Sequence, residues 1–185
     1  MEVLTTADRI KAFKESPANI VLPPDFSEWL IGSGFFQAPA STKYHGNYEG
    51  GLFDHSFMVM NTLVDLTRHN NLKWQRDGSP FIVGLLHDLC KIDSYEPVYD
   101  PTHPDDAPTF KYNTDTLLTG HGDKSVMLIS EHMQLTEEEV MCIRYHMGAF
   151  TDKEEWRYYT RAVNQYPNVL WTHQADMIAS HIFNT

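Results

Sequence analysis

Apolar residues recur along most of this chain at intervals of three and four, the spacing of helices with one buried face. Leu52, Val59, Leu63 and Leu66 keep that period through LFDHSFMVMNTLVDLTRHN, predicting a long helix over 52–70. SPFIVGLLHDLCK opens with Ser-Pro, a helix start, and predicts a second over 79–91. TTADRIKAFKES has Thr and Asp at its head and Pro just after it. PPDFSEWLIGSG opens on Pro and closes on Gly. Each predicts a short helix. HGDKSVMLISEHM, TEEEVMCIRYHM, DKEEWRYYTRAVNQY and NVLWTHQADMIASHIF predict four more, the second opened by a Thr136–Glu139 capping box. FFQAPASTKYHGNYEGG, rich in Gly, Pro and Ser, predicts a loop. SYEPVYDPTHPDDAPTFKYNTD holds four prolines and reads as an irregular excursion or a small hairpin of EPVYD and TFKYN. The expectation is one all-α domain over 1–185, interrupted by a Pro-rich excursion at about 93–113.

Composition narrows the function. A chain of 185 residues, 42% hydrophobic and 21% charged, is ordinary for a globular domain. Its formal net charge of −11 argues against tracking a long nucleic acid, which calls for a basic face. A short anion held locally or through a metal remains compatible. Cys90 and Cys142 sit among apolar residues and are expected as reduced, buried thiols of a cytoplasmic protein. No signal-peptide pattern opens the chain, and no apolar run is long enough to span a bilayer.

The chemistry gathers at helix boundaries. His87-Asp88 follows six uncharged residues, and burying both groups is costly unless each finds a partner. His55 lies within the 52–70 helix, His121 opens a helix between Gly120 and Gly122, and His146 ends one. Asp176 lies in an apolar helix, three residues after His173 and on the same face. Histidines and carboxylates from several helices, each at an apolar boundary, are what a metal site in a helical bundle needs. Nitrogen and carboxylate donors suit manganese, iron, cobalt, nickel or zinc. Adjacent helical side chains diverge by about 100°. A frayed helix end can turn His87 and Asp88 toward one ion, and the second oxygen of Asp88 toward another.

The segments GGLFDHS, LLHDLCK, GHGDKS, YHMG and HQADMIAS, in this order, resemble the HD superfamily of metal-dependent phosphohydrolases, whose signature is H…HD…D. The resemblance spans roughly residues 43–183 and looks closest to the HD domains of bacterial exoribonucleases. It implies an all-α bundle in which His55, His87, Asp88 and Asp176 hold one metal. His121 and His146 match the additional histidines of two-metal members, which share Asp88. In this chain Cys90 replaces the small Gly of the common HDIGK, and a Pro-rich excursion delays the next His. The nucleic-acid-binding domain that precedes the exoribonuclease HD domain has no counterpart.

The expected function is hydrolysis of a phosphomonoester or phosphodiester of a nucleotide or short oligonucleotide by metal-activated water, with His87, Asp88 and Lys124 as the catalytic set. Lys124 lies one turn after His121, where an intervening substrate phosphate would offset its repulsion from an ion. Lys91 is a candidate for touching the phosphate or, equally, a helix-end cation that stabilises the dipole, and Lys43, Tyr44 and His45 lie in a loop where a substrate could be gripped. His173 is expected to orient Asp176 or a water. Arg144 reads as a salt-bridge residue, Glu137–Glu139 as favourable helix-dipole placement, and Trp156, Tyr158 and Tyr159 as helix packing. The alternatives are an exonuclease or cyclic-nucleotide phosphodiesterase using the same site, and a non-catalytic metal-binding regulatory module. Partners are expected to be small phosphorylated molecules, with neither membrane nor long nucleic acid.

Overall fold

The helical spacing carries through into α1 (Thr6–Glu15), α2 (Pro17–Val21), α3 (Pro24–Gly32), α4 (Gly51–Asn70), α5 (Ser79–Leu86), α6 (His121–Ser130), α7 (Glu137–Arg144), α8 (Trp156–Gln165) and α9 (Asn168–Ile178). The computed structural model describes residues 4–103 and 106–183. The molecule is mostly helical, with one two-stranded antiparallel sheet, β1 (Tyr95–Val98) and β2 (Thr109–Tyr112). That hairpin is the Pro-rich excursion, of which residues 104–105 lie outside the described residues. No helix among the described residues is long and apolar enough to cross a membrane.

α4 runs through the middle. Leu52, Val59, Met60 and Leu63 on it are buried against Ile82, Val83, Leu85 and Leu86, with the rings of Phe13, Phe36 and Phe53 packed at a tilt at one end. Each such side chain contributes about 1.5–3 kcal/mol on burial. Two glycines decide how closely helices meet. A Cβ on Gly84 would lie 2.4 Å from the Met60 backbone, so only glycine lets α5 cross α4 here. A Cβ on Gly122 would lie 2.3 Å from the Arg144 carbonyl oxygen, so the start of α6 abuts the end of α7. The first approach brings His55 near His87, and the second brings His121 near His146.

Several boundaries differ from expectation. Pro17 does not merely end α1; its fixed φ suits the first turn of a helix, and it opens α2. The 79–91 helix breaks at Asp88, whose φ of −104° and ψ of 17° lead into a 3-10 turn, Leu89–Asp93. α7 breaks the same way at Tyr145, φ −109° and ψ 18°, just before His146. α8 begins only at Trp156, after a 3-10 turn over Lys153–Glu155, and α9 passes into a π turn over Ala179–Phe183.

The capping box of Thr136 and Glu139 is present, but the acidic run does more than complement a dipole. Glu138 and Glu139 are buried. Glu139 accepts from Ser79 Oγ at 2.8 Å, Arg76 Nε at 2.9 Å and the Thr136 amide at 2.8 Å. Glu138 accepts from the Gln75 amide at 2.7 Å and Asn168 Nδ2 at 2.9 Å. The two carboxylates tie the 71–78 loop to α7 and α9. Arg144 is a salt-bridge residue as expected, paired with Asp123 and Glu155. Tyr159 packs toward Tyr145, whereas Trp156 and Tyr158 are exposed rather than packed.

Candidate metal centre

The two helix breaks aim their side chains at one point. His87 caps α5 and its Nδ1 donates to the Gly84 carbonyl at 2.9 Å. His146, just past α7, donates from Nδ1 to the Ile143 carbonyl at 2.7 Å. A carbonyl only accepts, so in each neutral ring Nδ1 carries the proton and Nε2 presents a lone pair inward. α4 supplies His55, α6 supplies His121 from its first residue, and α9 supplies Asp176.

The four imidazoles converge on the Asp88 carboxylate. Its Oδ1 lies 2.7 Å from His121 Nε2 and 3.4 Å from His146 Nε2. Its Oδ2 lies 3.5 Å from His87 Nε2 and 3.6 Å from His55 Nε2. His55 Nε2 is 3.3 Å from both His87 Nε2 and Asp176 Oδ1. His55, His87, Asp88 and His146 are buried, Asp176 is partly buried, and the His121 side chain is 37% exposed.

The spacing suits ligation better than hydrogen bonding. Asp88 Oδ1 and His146 Nε2 are buried and make no well-aligned hydrogen bond, although His121 Nε2 approaches that oxygen to 2.7 Å. Ligand atoms about 2.0–2.2 Å from one ion, at tetrahedral to octahedral angles, sit roughly 3.0–3.5 Å apart. Three overlapping groups have their donor atoms close enough to hold an ion: His55–His87–Asp176, His87–Asp88–His146, and Asp88–Cys90–His121. The nitrogen and oxygen donors fit a borderline divalent ion.

The electrostatics keep the donors in ligand form. Burial pushes His87 down to about 3, against the pull of Asp88, so its ring is neutral. Burial opposes ionisation of Asp88, but Lys91 and the surrounding imidazoles outweigh it and hold the carboxyl well below its usual range. Asp176 is lowered likewise, with the hydrogen bond to His55 overcoming burial. At His146 burial favours the neutral ring, yet Asp88 raises the pKa, so without an ion a proton competes for this position. Burial and the Asp88 charge raise the Cys90 thiol to about 12, so it is no thiolate near neutrality.

The lysines divide. Lys91 Nζ lies 2.6 Å from Asp88 Oδ2 and lines the cavity above the cluster. Lys124, expected to face a phosphate, is buried in an ion pair with Asp93 and does not line that cavity. The 3-10 turn after Asp88 carries Asp93 onto α6 and captures it. Lys43 is exposed and also off the cavity wall, although Tyr44 and His45 beside it line the wall. His173 supports the site through His146, its Nδ1 donating to the His146 carbonyl at 2.8 Å and bracing the turn that holds that ligand. Asp176 Oδ1 accepts from Ser180 Oγ at 3.2 Å, a contact signalled only by the four-residue spacing of the pair. His45 was legible only as part of a loop; its ring centre is 4.8 Å from that of His55.

The cavity measures about 480 Å³, with Asp88, His121 and Asp176 in its floor and Tyr95 and Tyr112 of the hairpin in its wall. Burial raises Tyr95 to about 12, so its phenol stays uncharged. A second cavity of about 410 Å³, between α7 and α8, contains none of the expected site residues. No family model, no curated protein and no solved structure matches the chain.

Proposed function

We propose that the protein is a metal-dependent phosphohydrolase with the all-α bundle and site of the HD superfamily, acting on a nucleotide or short oligonucleotide in a reducing, cytoplasmic compartment. The observation that carries this reading is the Asp88 carboxylate. It is buried among four imidazole nitrogens at 2.7–3.6 Å, while its Oδ1 and His146 Nε2 make no well-aligned hydrogen bond. Such an arrangement is costly unless a cation completes it.

His55, His87, Asp88 and Asp176 would hold one ion, and His121 and His146 a second that shares Asp88. A divalent ion supplies Lewis-acid polarisation of a phosphoryl oxygen and an activated water near neutral pH. The chain's own residues do the rest. Gly84 and Ile143 carbonyls lock His87 and His146 with Nε2 inward. Lys91 steadies Asp88 and lines the cavity, where it would meet a phosphoryl oxygen. The protonated Cys90 thiol is no nucleophile, which favours direct attack by water over a covalent intermediate at this residue. Its buried sulfur and that of Cys142 are both free thiols, in keeping with a reducing compartment.

The test uses untagged protein purified without chelator, assayed on phosphomonoesters, cyclic nucleotides and short single-stranded RNA before and after chelation. The proposal expects hydrolysis that chelator abolishes and added manganese, cobalt, nickel, iron or zinc restores. Hydrolysis at full rate by metal-free protein would overturn it.

A further inference from the structure

The wall of the main cavity says which phosphorylated molecules would fit. The hairpin stands on a fixed base: Ser94 Oγ donates to the Cys90 carbonyl at 2.8 Å, the Asn113 amide to the Ser94 carbonyl at 3.0 Å, and Asn113 Nδ2 to the Asp93 carbonyl at 2.9 Å. Lys124 pins the same base through Asp93. Directly above, Tyr95 and Tyr112 face each other in register, ring centres 5.4 Å apart, and both line the cavity. Tyr44 and Phe150 add two more aromatic rings to the lining. Tyr44, Tyr112 and Phe150 are 79%, 68% and 68% exposed, which leaves aromatic surface free to receive a flat ring. The charge count is equally one-sided. Lys91 is the one Lys or Arg among the described lining residues, and Asp88 already holds it. Among the described lining residues no other lysine or arginine stands by to cradle a second or third phosphate, on a chain of formal net charge −11.

We propose that the cavity takes nucleoside monophosphates, with the single phosphoryl group on the Asp88 floor and the base against Tyr95 and Tyr112, and that it discriminates against nucleoside di- and triphosphates. This rests on reading the Asp88 cluster as a metal-dependent phosphohydrolase site. The hairpin is then a specificity element, and its two tyrosines are binding residues.

The test compares adenosine monophosphate, adenosine triphosphate and glycerol phosphate on the manganese-loaded full chain, by titration calorimetry and by initial rates. The monophosphate is expected to bind and turn over at least about tenfold better than the triphosphate. Tyr112→Ala, at an exposed position outside the helical core, should cut the preference for adenosine monophosphate over glycerol phosphate on the order of tenfold, the loss of one base-stacking contact, while Tyr112→Phe, which keeps the ring and its pairing with Tyr95, should retain it. Equal or better handling of the triphosphate overturns the inference, as does an unchanged preference in Tyr112→Ala. Turnover of glycerol phosphate without binding or turnover of adenosine monophosphate overturns the inference and leaves the hydrolase reading standing. Tight, Tyr112-dependent binding of the monophosphate with no turnover of any ester supports the inference and sinks the hydrolase reading. If neither ester binds or turns over, both fall.

Discussion

Two clusters of buried acid stand in contrast in this molecule. Around Glu138 and Glu139, hydrogen-bond donors come from the chain itself: a guanidinium, a hydroxyl, two amides and an asparagine side chain. Around Asp88 and Asp176, among the described residues, the chain supplies only Lys91 and the Ser180 hydroxyl besides imidazoles; the Nε2 lone pairs of His87 and His146 point inward, and Asp88 Oδ1 makes no well-aligned hydrogen bond. Both clusters are buried, and both sit at helix ends. Burial of acid therefore does not separate structure from function here; what separates them is whether protein donors finish the cluster or leave room for a cation. The closed cluster should govern stability and the open one metal content.

The largest effect expected is a double dissociation. Asp88→Ala should abolish metal retention and cut hydrolysis by more than the 10–100-fold typical of losing a residue that merely supports a ligand. Glu139→Gln should leave metal content unchanged and cost about 1.5–3 kcal/mol of stability through lost charge-assisted bonds. Elemental analysis and denaturant unfolding of both variants decide it; metal loss in Glu139→Gln would erase the contrast.

The next prediction divides the open cluster. His121→Ala or His146→Ala should remove one of two ions and reduce hydrolysis on the order of 10–100-fold, while the ion at His55, His87 and Asp176 stays. An unchanged metal count and rate in both variants would make those two histidines structural and the centre mononuclear.

Acid should also distinguish the clusters. The folded-state value of His87, about 3, lies below its ordinary 6.5, so between those limits the unfolded chain binds a proton that the folded chain refuses. Stability of the metal-free protein should therefore fall as pH drops from about 6.5 toward 3. Asp88 and Asp176, depressed below 3.8, add to the loss as pH falls through and below that value. His146 works the other way: its raised value gives stability that is present below 6.5 and lost as pH rises through the folded value. With metal bound the decline on acidification should steepen, because protons displace the ion. Unfolding curves at stepped pH, with and without manganese, test this; identical pH profiles would contradict it.

The smallest effect concerns Lys124, which belongs with the closed kind. Its partner Asp93 is half exposed, so Lys124→Ala should cost about 1 kcal/mol or less, with metal content and KM for a simple phosphoester unchanged. A large rise in that KM would return Lys124 to the phosphate.

The cluster around Asp88 was legible in the sequence because its members mark helix boundaries, a local property. His87, His121 and His146 each stand where an apolar period stops or starts, and all six expected ligands meet. The boundary at Asp88 was readable as frayed, and the backbone does turn there. The glutamates do open α7 as expected, but their further partners, like the Asp93 partner of Lys124, were not legible because they are fixed by tertiary docking. Asp93 reaches Lys124 only after the 3-10 turn packs on α6, and Glu139 meets Arg76 across 63 residues of chain. The hairpin was one of two readings of a proline-rich stretch, since prolines punctuate strands and irregular loops alike. α2 was missed because Pro17 serves as well to start a helix as to follow one.

The most direct measurement of the central claim is the metal content of untagged protein purified without chelator, set beside that of His55→Ala and Asp88→Ala. One to two equivalents of a divalent transition metal in the parent, lowered in His55→Ala and absent in Asp88→Ala, is the predicted result. A fully folded parent that neither carries such an ion nor takes one up from solution would contradict it.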